Sequence, residues 1–250
     1  MTIKAITFDF WATLYRPRPV DLNQRLRQLK ENLDRHSDRA FPLEQIKQAV
    51  NVARQTWDVT WAEAQRTIGA AEWLEVVLAE LDTHLPPEQL AGIHLEMENN
   101  ILAAPPDLVP EARQTLADLA SRYRLAIISD TGITPGRVLR QILRQDGIID
   151  YFTHLTFSDE IGRSKPHPSA FHTTLTALEV TPAAAVHVGD LLRTDIAGAQ
   201  GVGMRGVQYI GVSQDDWSVA VETQITPDAV IRSHTELSVL VTQWSGLNAV

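Results

Sequence analysis

The second half of the chain alternates helical and apolar segments, and no other feature narrows the possible folds as much. Helical patterns at Glu111–Ser121, Thr134–Arg144, Ser169–Glu179 and Thr194–Gly201 each lead into a short apolar run: LAIIS at 125–129, HLTFS at 154–158, AAVHVG at 184–189 and RGVQYIG at 205–211. DAVIRS and a last helix ending near Trp244 extend the series. Parallel strands need long crossovers, usually helices, and a sheet covered on both faces has strands that read as continuous apolar runs. The expected fold is therefore α/β, a doubly wound parallel sheet.

One strand stands apart from this series. Residues 3–10, IKAITFDF, are apolar, β-branched and aromatic, and end beside an acid, which is the pattern of a buried strand. From Asp21 to about Leu102 the spacing is helical, with Leu22, Leu26, Leu29 and Leu33 on one stripe, and Pro42, Gly69 and Pro86-Pro87 divide it into about four helices. Residues 1–15 and 105–250 are thus expected to form one core domain, and residues 16–104 a helical insert. The 250 residues, 44% of them hydrophobic, suffice for both.

Composition excludes some chemistries. Lysine and arginine number 22 against 31 acids, a net charge of −9, which argues against nucleic acid or an anionic membrane as partner. A small anionic substrate stays compatible, because a metal or a local lysine reverses the sign inside a pocket. There is no cysteine, hence no disulfide, thiolate nucleophile or cysteine-based zinc site. MTIKAITFDF turns acidic too early for a secretory signal, and no apolar run is long enough to span a bilayer, so a cytoplasmic protein is expected.

In open parallel sheets, ligands bind at the carboxyl ends of the strands. Here those ends are Asp9, Ser129, Ser158 and Gly189-Asp190. A carboxylate at a strand tip, such as Asp9, serves as a nucleophile, a ligand for a hard cation, or a plain turn residue. Asp190, with Asp195 five residues on, suits an oxygen-lined magnesium site; Asp195 reaches the ion through a water or caps the helix beginning near Thr194. Gly189 lets the backbone turn without a Cβ. Lys165, before Pro166, and the hydroxyls of Thr13 and Ser129 are placed to hold oxygens of a transferring group.

These segments, in this order, resemble the four motifs of the haloacid dehalogenase-like (HAD) hydrolases: Asp9 with Thr13, then Ser129, then Lys165 with its proline, then Gly189-Asp190 with Asp195. The resemblance implies a Rossmann-like core with residues 16–104 as a C1-type cap. It implies Asp9 as nucleophile and magnesium ligand, Asp190 and the backbone carbonyl of Trp11 as further ligands, and Thr13, Ser129 and Lys165 as substrate-binding groups. The expected activity is a Mg2+-dependent phosphatase acting on a small phosphorylated metabolite through an aspartyl-phosphate.

The pattern departs from the family at Trp11, where its phosphatases carry a second aspartate that protonates the leaving group. Indole cannot exchange a proton at ordinary pH, and losing a positioned acid/base costs roughly 10²–10⁴-fold. Ala12 also replaces the commoner glycine. An aromatic at position 11 resembles the 2-haloacid dehalogenases, whose halide leaves unprotonated. A non-hydrolytic member binding a phosphorylated ligand or a protein is the other alternative. Charge counting favours phosphoryl chemistry: Asp9, Asp190 and Asp195 face one lysine, and a divalent cation would bring the sum to zero.

In the insert, Trp57, Trp61 and Trp73 are expected in the helical core. Arg54, Arg66 and His94 read as solvated or salt-bridged helix faces. Arg16 and Arg18 are better placed to meet a substrate anion, Arg193 is expected to pair with a nearby acid, and His167 and His172 read as surface or helix-start residues.

Overall fold

The computed structural model describes residues 2–19, 21–212 and 224–245. The chain opens with β1 (Ala5–Phe8) and a two-residue strand, β2 (Tyr15–Arg16). Four helices follow: α1 (Leu22–His36), α2 (Leu43–Ala64), α3 (Ala70–Glu80) and α4 (Pro87–Asn99). The rest runs β3 (Asp107–Leu108), α5 (Ala112–Ala120), β4 (Arg124–Ser129), α6 (Gly136–Gln145), β5 (His154–Phe157), α7 (Ser158–Ile161), α8 (Pro168–Ala177), β6 (Ala185–Gly189), α9 (Ala197–Gly201), β7 (Arg205–Tyr209), β8 (Ala229–Ile231) and α10 (His234–Trp244). Residues 213–223 and 246–250 of the expected core range lie outside the described residues.

Among the described residues the main sheet is six-stranded and parallel, in the order β5-β4-β1-β6-β7-β8. The doubly wound α/β fold expected from the alternation is the one observed. The first strand is shorter than expected, four residues, all fully buried, and pairs Phe8 with Ile127 on one side and Val188 on the other. From β1 the crossovers run one way to β4 and β5 and the other way to β6, β7 and β8. The carboxyl end of β1 therefore lies where the winding reverses, the usual ligand crevice of such sheets.

One apolar cluster, with Ile6, Phe8, Leu116, Leu139 and Leu237, covers one face of the sheet, and another, with Ala126, Phe171 and Leu175, covers the opposite face. The four helices α1–α4 pack on a cluster of their own, including Leu29, Leu33, Ile46, Leu74, Val77 and Ile93. Local signals set their ends: Asp21 caps α1 by accepting from Gln24 N, and Pro87 opens α4. The two connections to the sheet run side by side as the antiparallel pair β2–β3, tied by Arg18 to Asp107 at 2.5 Å. This small pair was not legible in the sequence.

Candidate active site

Strand β1 ends at Phe8, and Asp9 continues its ladder by donating its N–H to Val188 O at 2.8 Å. The hydrogen-bonded strand thereby fixes the acid at the sheet's edge. Past it the backbone turns sharply: Ala12 has φ +51°, its N–H donates to Tyr15 O, and Trp11 bridges to Tyr15. A side chain in the left-handed region is strained by roughly 1–2 kcal/mol, which explains why glycine is the commoner residue there. The Trp11 ring stands edge-on to Phe10, 4.8 Å between centroids.

The structure brings Asp9, Lys165, Asp190 and Asp195 together. Lys165 Nζ donates to Asp9 Oδ1 and to Asp195 Oδ1, both at 2.6 Å, and all three side chains are buried. Carboxylate oxygens of Asp9, Asp190 and Asp195 lie within 4.8 Å of one another.

Asp195 does not act as the helix cap that was one of its expected roles. It sits inside a π-helical turn, Leu192–Ile196, and faces inward. Its Oδ1 also meets His187 Nε2 at 3.1 Å, and its Oδ2 accepts from Leu191 N at 3.0 Å. His187 is in turn held by Thr7 Oγ1 at 2.8 Å. Asp195 is thus the anchor of Lys165. Gly189 serves this anchor, and not the backbone turn expected of it: its φ is ordinary, but a Cβ there would lie 2.7 Å from Asp195 Oδ1.

Electrostatics divides the acids. Burial raises Asp9 to about 6 against the opposing pull of Lys165. Burial, with Asp195 and Asp9 adding repulsion, raises Asp190 to about 8. Burial would also raise Asp195, but Lys165 and His187 outweigh it and hold its carboxyl well below the usual range. Lys165, although buried, is held charged by Asp195 and Asp9. Three acids gather around one lysine, and an all-oxygen set of this kind suits a hard divalent cation.

Ser129 and Thr13 are also buried. Ser129 Oγ reaches Asp130 O at 3.3 Å, while Thr13 Oγ1 has no hydrogen-bond partner among the described residues, so it is an unused donor. Sequence reasoning missed Asp130 and His187. Asp130 Oδ1 accepts from Lys165 N at 2.9 Å, and burial pushes its carboxyl up to about 7. Its position directly after Ser129, at a strand end, was the available signal.

The end of α2 lies over these loops. Trp57 packs on Gly132, whose Cβ position is 3.0 Å from the indole. Arg193 lies 4.5 Å over the Trp61 ring, where pairing with an acid was expected. Gln65 O accepts from Ser164 N at 2.7 Å, and Thr67 Oγ1 meets Ser158 Oγ at 3.1 Å. Of the three tryptophans expected in the helical core, Trp73 is there, whereas Trp57 and Trp61 face the sheet's loops. Arg66 pairs with Glu72 at 2.6 Å, and Arg18, ranked above the other arginines of the insert for meeting a substrate anion, pairs with Asp107 at the connection. Arg16, Arg54 and His172 are exposed, His94 is half-buried, and His167 caps α8 through Ser169 N.

A family model described as hydrolase, haloacid dehalogenase-like hydrolase, matches residues 3–203. The chain is 42% identical over 102 residues to a glyceraldehyde 3-phosphate phosphatase of Pyrococcus furiosus, covering 40% of this chain and 41% of that protein. It therefore spans about two fifths of the length of that archaeal relative. It is 28% identical over 245 residues to the 5-amino-6-(5-phospho-D-ribitylamino)uracil phosphatase YigB of Escherichia coli, covering 96% of each. Among solved structures, a 2-haloacid dehalogenase from Pseudomonas syringae aligns at TM-score 0.71 and 26% identity, over 97% of this chain and 100% of that one.

Proposed function

The chain belongs to the haloacid dehalogenase-like hydrolases, and within that family we propose that it is a Mg2+-dependent phosphatase of a small phosphorylated metabolite, with Asp9 as nucleophile. One observation carries this reading: three buried acids share a single lysine, and two of them are pushed up to about 6 and about 8. A site meant to work without a metal would hold fewer acids or more cations. The phosphatase names of two relatives agree.

Asp9, Asp190 and the Trp11 carbonyl would hold the ion, with Asp195 behind them, reaching it through a water. When bound, Mg2+ supplies Lewis-acid stabilisation of phosphoryl oxygens. The remaining work falls to the chain. Asp9 attacks phosphorus in line through the oxygen that Lys165 does not hold. Lys165, anchored by Asp195 and His187, keeps that carboxylate in place and stabilises the negative charge of the transferring group. The hydroxyls of Thr13 and Ser129 donate to phosphoryl oxygens. The α1–α4 block acts as a cap that limits access of water and selects the leaving group. Among the described residues no helix is long and apolar enough to cross a membrane.

A second reading, 2-haloacid dehalogenation through an Asp9 ester, is favoured by Trp11 and by the structural likeness to a 2-haloacid dehalogenase. The excess of acids over lysine in the cluster counts against it, since an anionic haloacid would meet repulsion. Two arginines of the α1–α4 block and its connection, Arg66 and Arg18, are paired elsewhere.

A screen of phosphate esters and acyl phosphates, with Mg2+ and with EDTA, separates the two. Phosphate release is expected only with Mg2+, and Asp9→Asn should abolish it. Chloride release from 2-chloropropionate in EDTA, with no phosphate released from any substrate, would overturn the phosphatase reading.

A further inference from the structure

On the phosphatase reading, on which this proposal depends, the chemistry leaves one task unfilled. An alkoxide leaving from phosphorus needs a proton, and Trp11 has none to give. Around Asp9, most titratable groups are already committed. His187 is sealed from solvent and bonded to Thr7 and Asp195. Asp195 holds Lys165, and Lys165 holds Asp9. Asp190 belongs to the acid cluster. Asp130 is the remaining acid beside this group among the described residues. One of its oxygens accepts from Lys165 N at 2.9 Å, and its other oxygen takes no hydrogen bond from a described residue.

Its place in the fold fits the task. Lys165, bonded to both Asp9 and Asp195, occupies one side of Asp9, and the end of α2 packs on the loops that follow β4 and β6. Asp130 lies on the first of these loops: it accepts from the Lys165 backbone, and Gly132, two residues on, packs against Trp57 of α2. The loop is rigid. Thr131 N donates to Ser158 Oγ at 2.8 Å, Thr131 Oγ1 donates to Asp159 Oδ1 at 2.8 Å, and Asp159 also caps α6 through Gly136 N. An acid on so fixed a loop is preorganised.

We propose that Asp130 is the acid/base of this site. As Asp9 attacks and the bond from phosphorus to the leaving oxygen breaks, the Asp130 carboxyl passes its proton to that oxygen and the alcohol departs. The Asp130 carboxylate then takes a proton from the water that attacks the aspartyl-phosphate. The bond from phosphorus to Asp9 breaks, phosphate leaves, and both acids return to their starting states. Charges facing Asp130 come from Lys165, Asp9 and Asp195. Burial, aided by the two acids and opposed by Lys165, keeps it protonated up to about 7, where a general acid is most effective at neutral pH.

The test compares kcat/KM, with Mg2+, for acetyl phosphate, p-nitrophenyl phosphate and phenyl phosphate, in order of rising need for leaving-group protonation. This ratio reports steps through departure of the leaving group. Asp130→Asn keeps an oxygen to accept from Lys165 N but loses the proton. It should slow phenyl phosphate by roughly 10²-fold or more and acetyl phosphate by less than about tenfold. Equal losses on all three substrates would reduce Asp130 to a prop for Lys165 and overturn the proposal alone. A wild-type chain releasing no phosphate from any of them would remove the phosphatase reading as well. Trp11→Asp gives an independent check in a chain with Asp130 intact. It should gain less than about tenfold on phenyl phosphate, because an acid is already present; a gain of roughly 10²-fold or more would overturn the proposal.

Discussion

Each acid of the site owes its character to its neighbours. Asp9, Asp190 and Asp195 share a residue type, yet Asp195 is held ionised by Lys165 and His187 while the other two are raised. Linkage turns this into a prediction. A carboxyl raised in the folded state contributes stability that is fully present below its unfolded pKa of 3.8, is lost while the native chain keeps a proton the unfolded chain has released, and changes no further above its folded pKa. The metal-free chain should therefore lose stability from about pH 4 upward, the Asp9 share ending near pH 6 and the Asp190 share near pH 8. Mg2+, binding the ionised pair, should restore it. The rise in Tm on adding Mg2+ is expected to be larger at the upper end of that window than at the lower end, as measured by calorimetry. A rise independent of pH would mean that these two acids do not bind the ion. Gly189 makes a related point: its lack of a Cβ matters because Asp195 packs against it, which no local rule for turns contains.

Among the elements, α2 does two things that its sequence presents as one. Its buried Ile46, Ala49 and Ala53 build the helical block. Its last turns carry Trp57 and Trp61 onto the loops after β4 and β6, and end in Gln65 at φ +47°, whose carbonyl takes the N–H beside Lys165. Helical spacing places Trp57 and Trp61 on one stripe but does not say which body the stripe faces. Trp61→Ala should remove an exposed cation–π contact worth roughly 0.5–1 kcal/mol. It should leave the helical circular dichroism unchanged while speeding trypsin cleavage near the connection at Arg16 and Arg18. Unaltered cleavage would show that this contact does not hold the block against the sheet.

At the scale of the whole molecule, a buried histidine ties stability to pH. His234, at the start of α10, is 1% exposed and stacks on Tyr209 at 4.4 Å, and neither ring nitrogen has a partner among the described residues. Burial lowers it from 6.5 to about 4. Above pH 6.5 both states are neutral and nothing depends on it. Below that the unfolded chain takes up a proton that the native one refuses, so stability falls toward about pH 4, by on the order of 3 kcal/mol at most. His234→Phe, compared with wild type by urea denaturation, should flatten this acid limb. Parallel curves for the two chains would rule the histidine out.

The sequence by itself determined the parallel α/β sheet, the helical insertion after the first strand and the order of the motif residues. These follow from period, punctuation and strand ends, which are properties of neighbours along the chain. It carried Asp9 and Asp190 to the carboxyl edge of the sheet, because residues that end buried strands have no other place to go. What only the tertiary structure decided is how the acids are divided among partners. Asp195 is the anchor of Lys165 because β6 and the loop before α8 meet there, Asp130 joins the site through the Lys165 backbone, and Trp57 and Trp61 roof it. Burial and charge depend on groups 30 or more residues apart coming within hydrogen-bond reach, and spacing along one chain does not encode that.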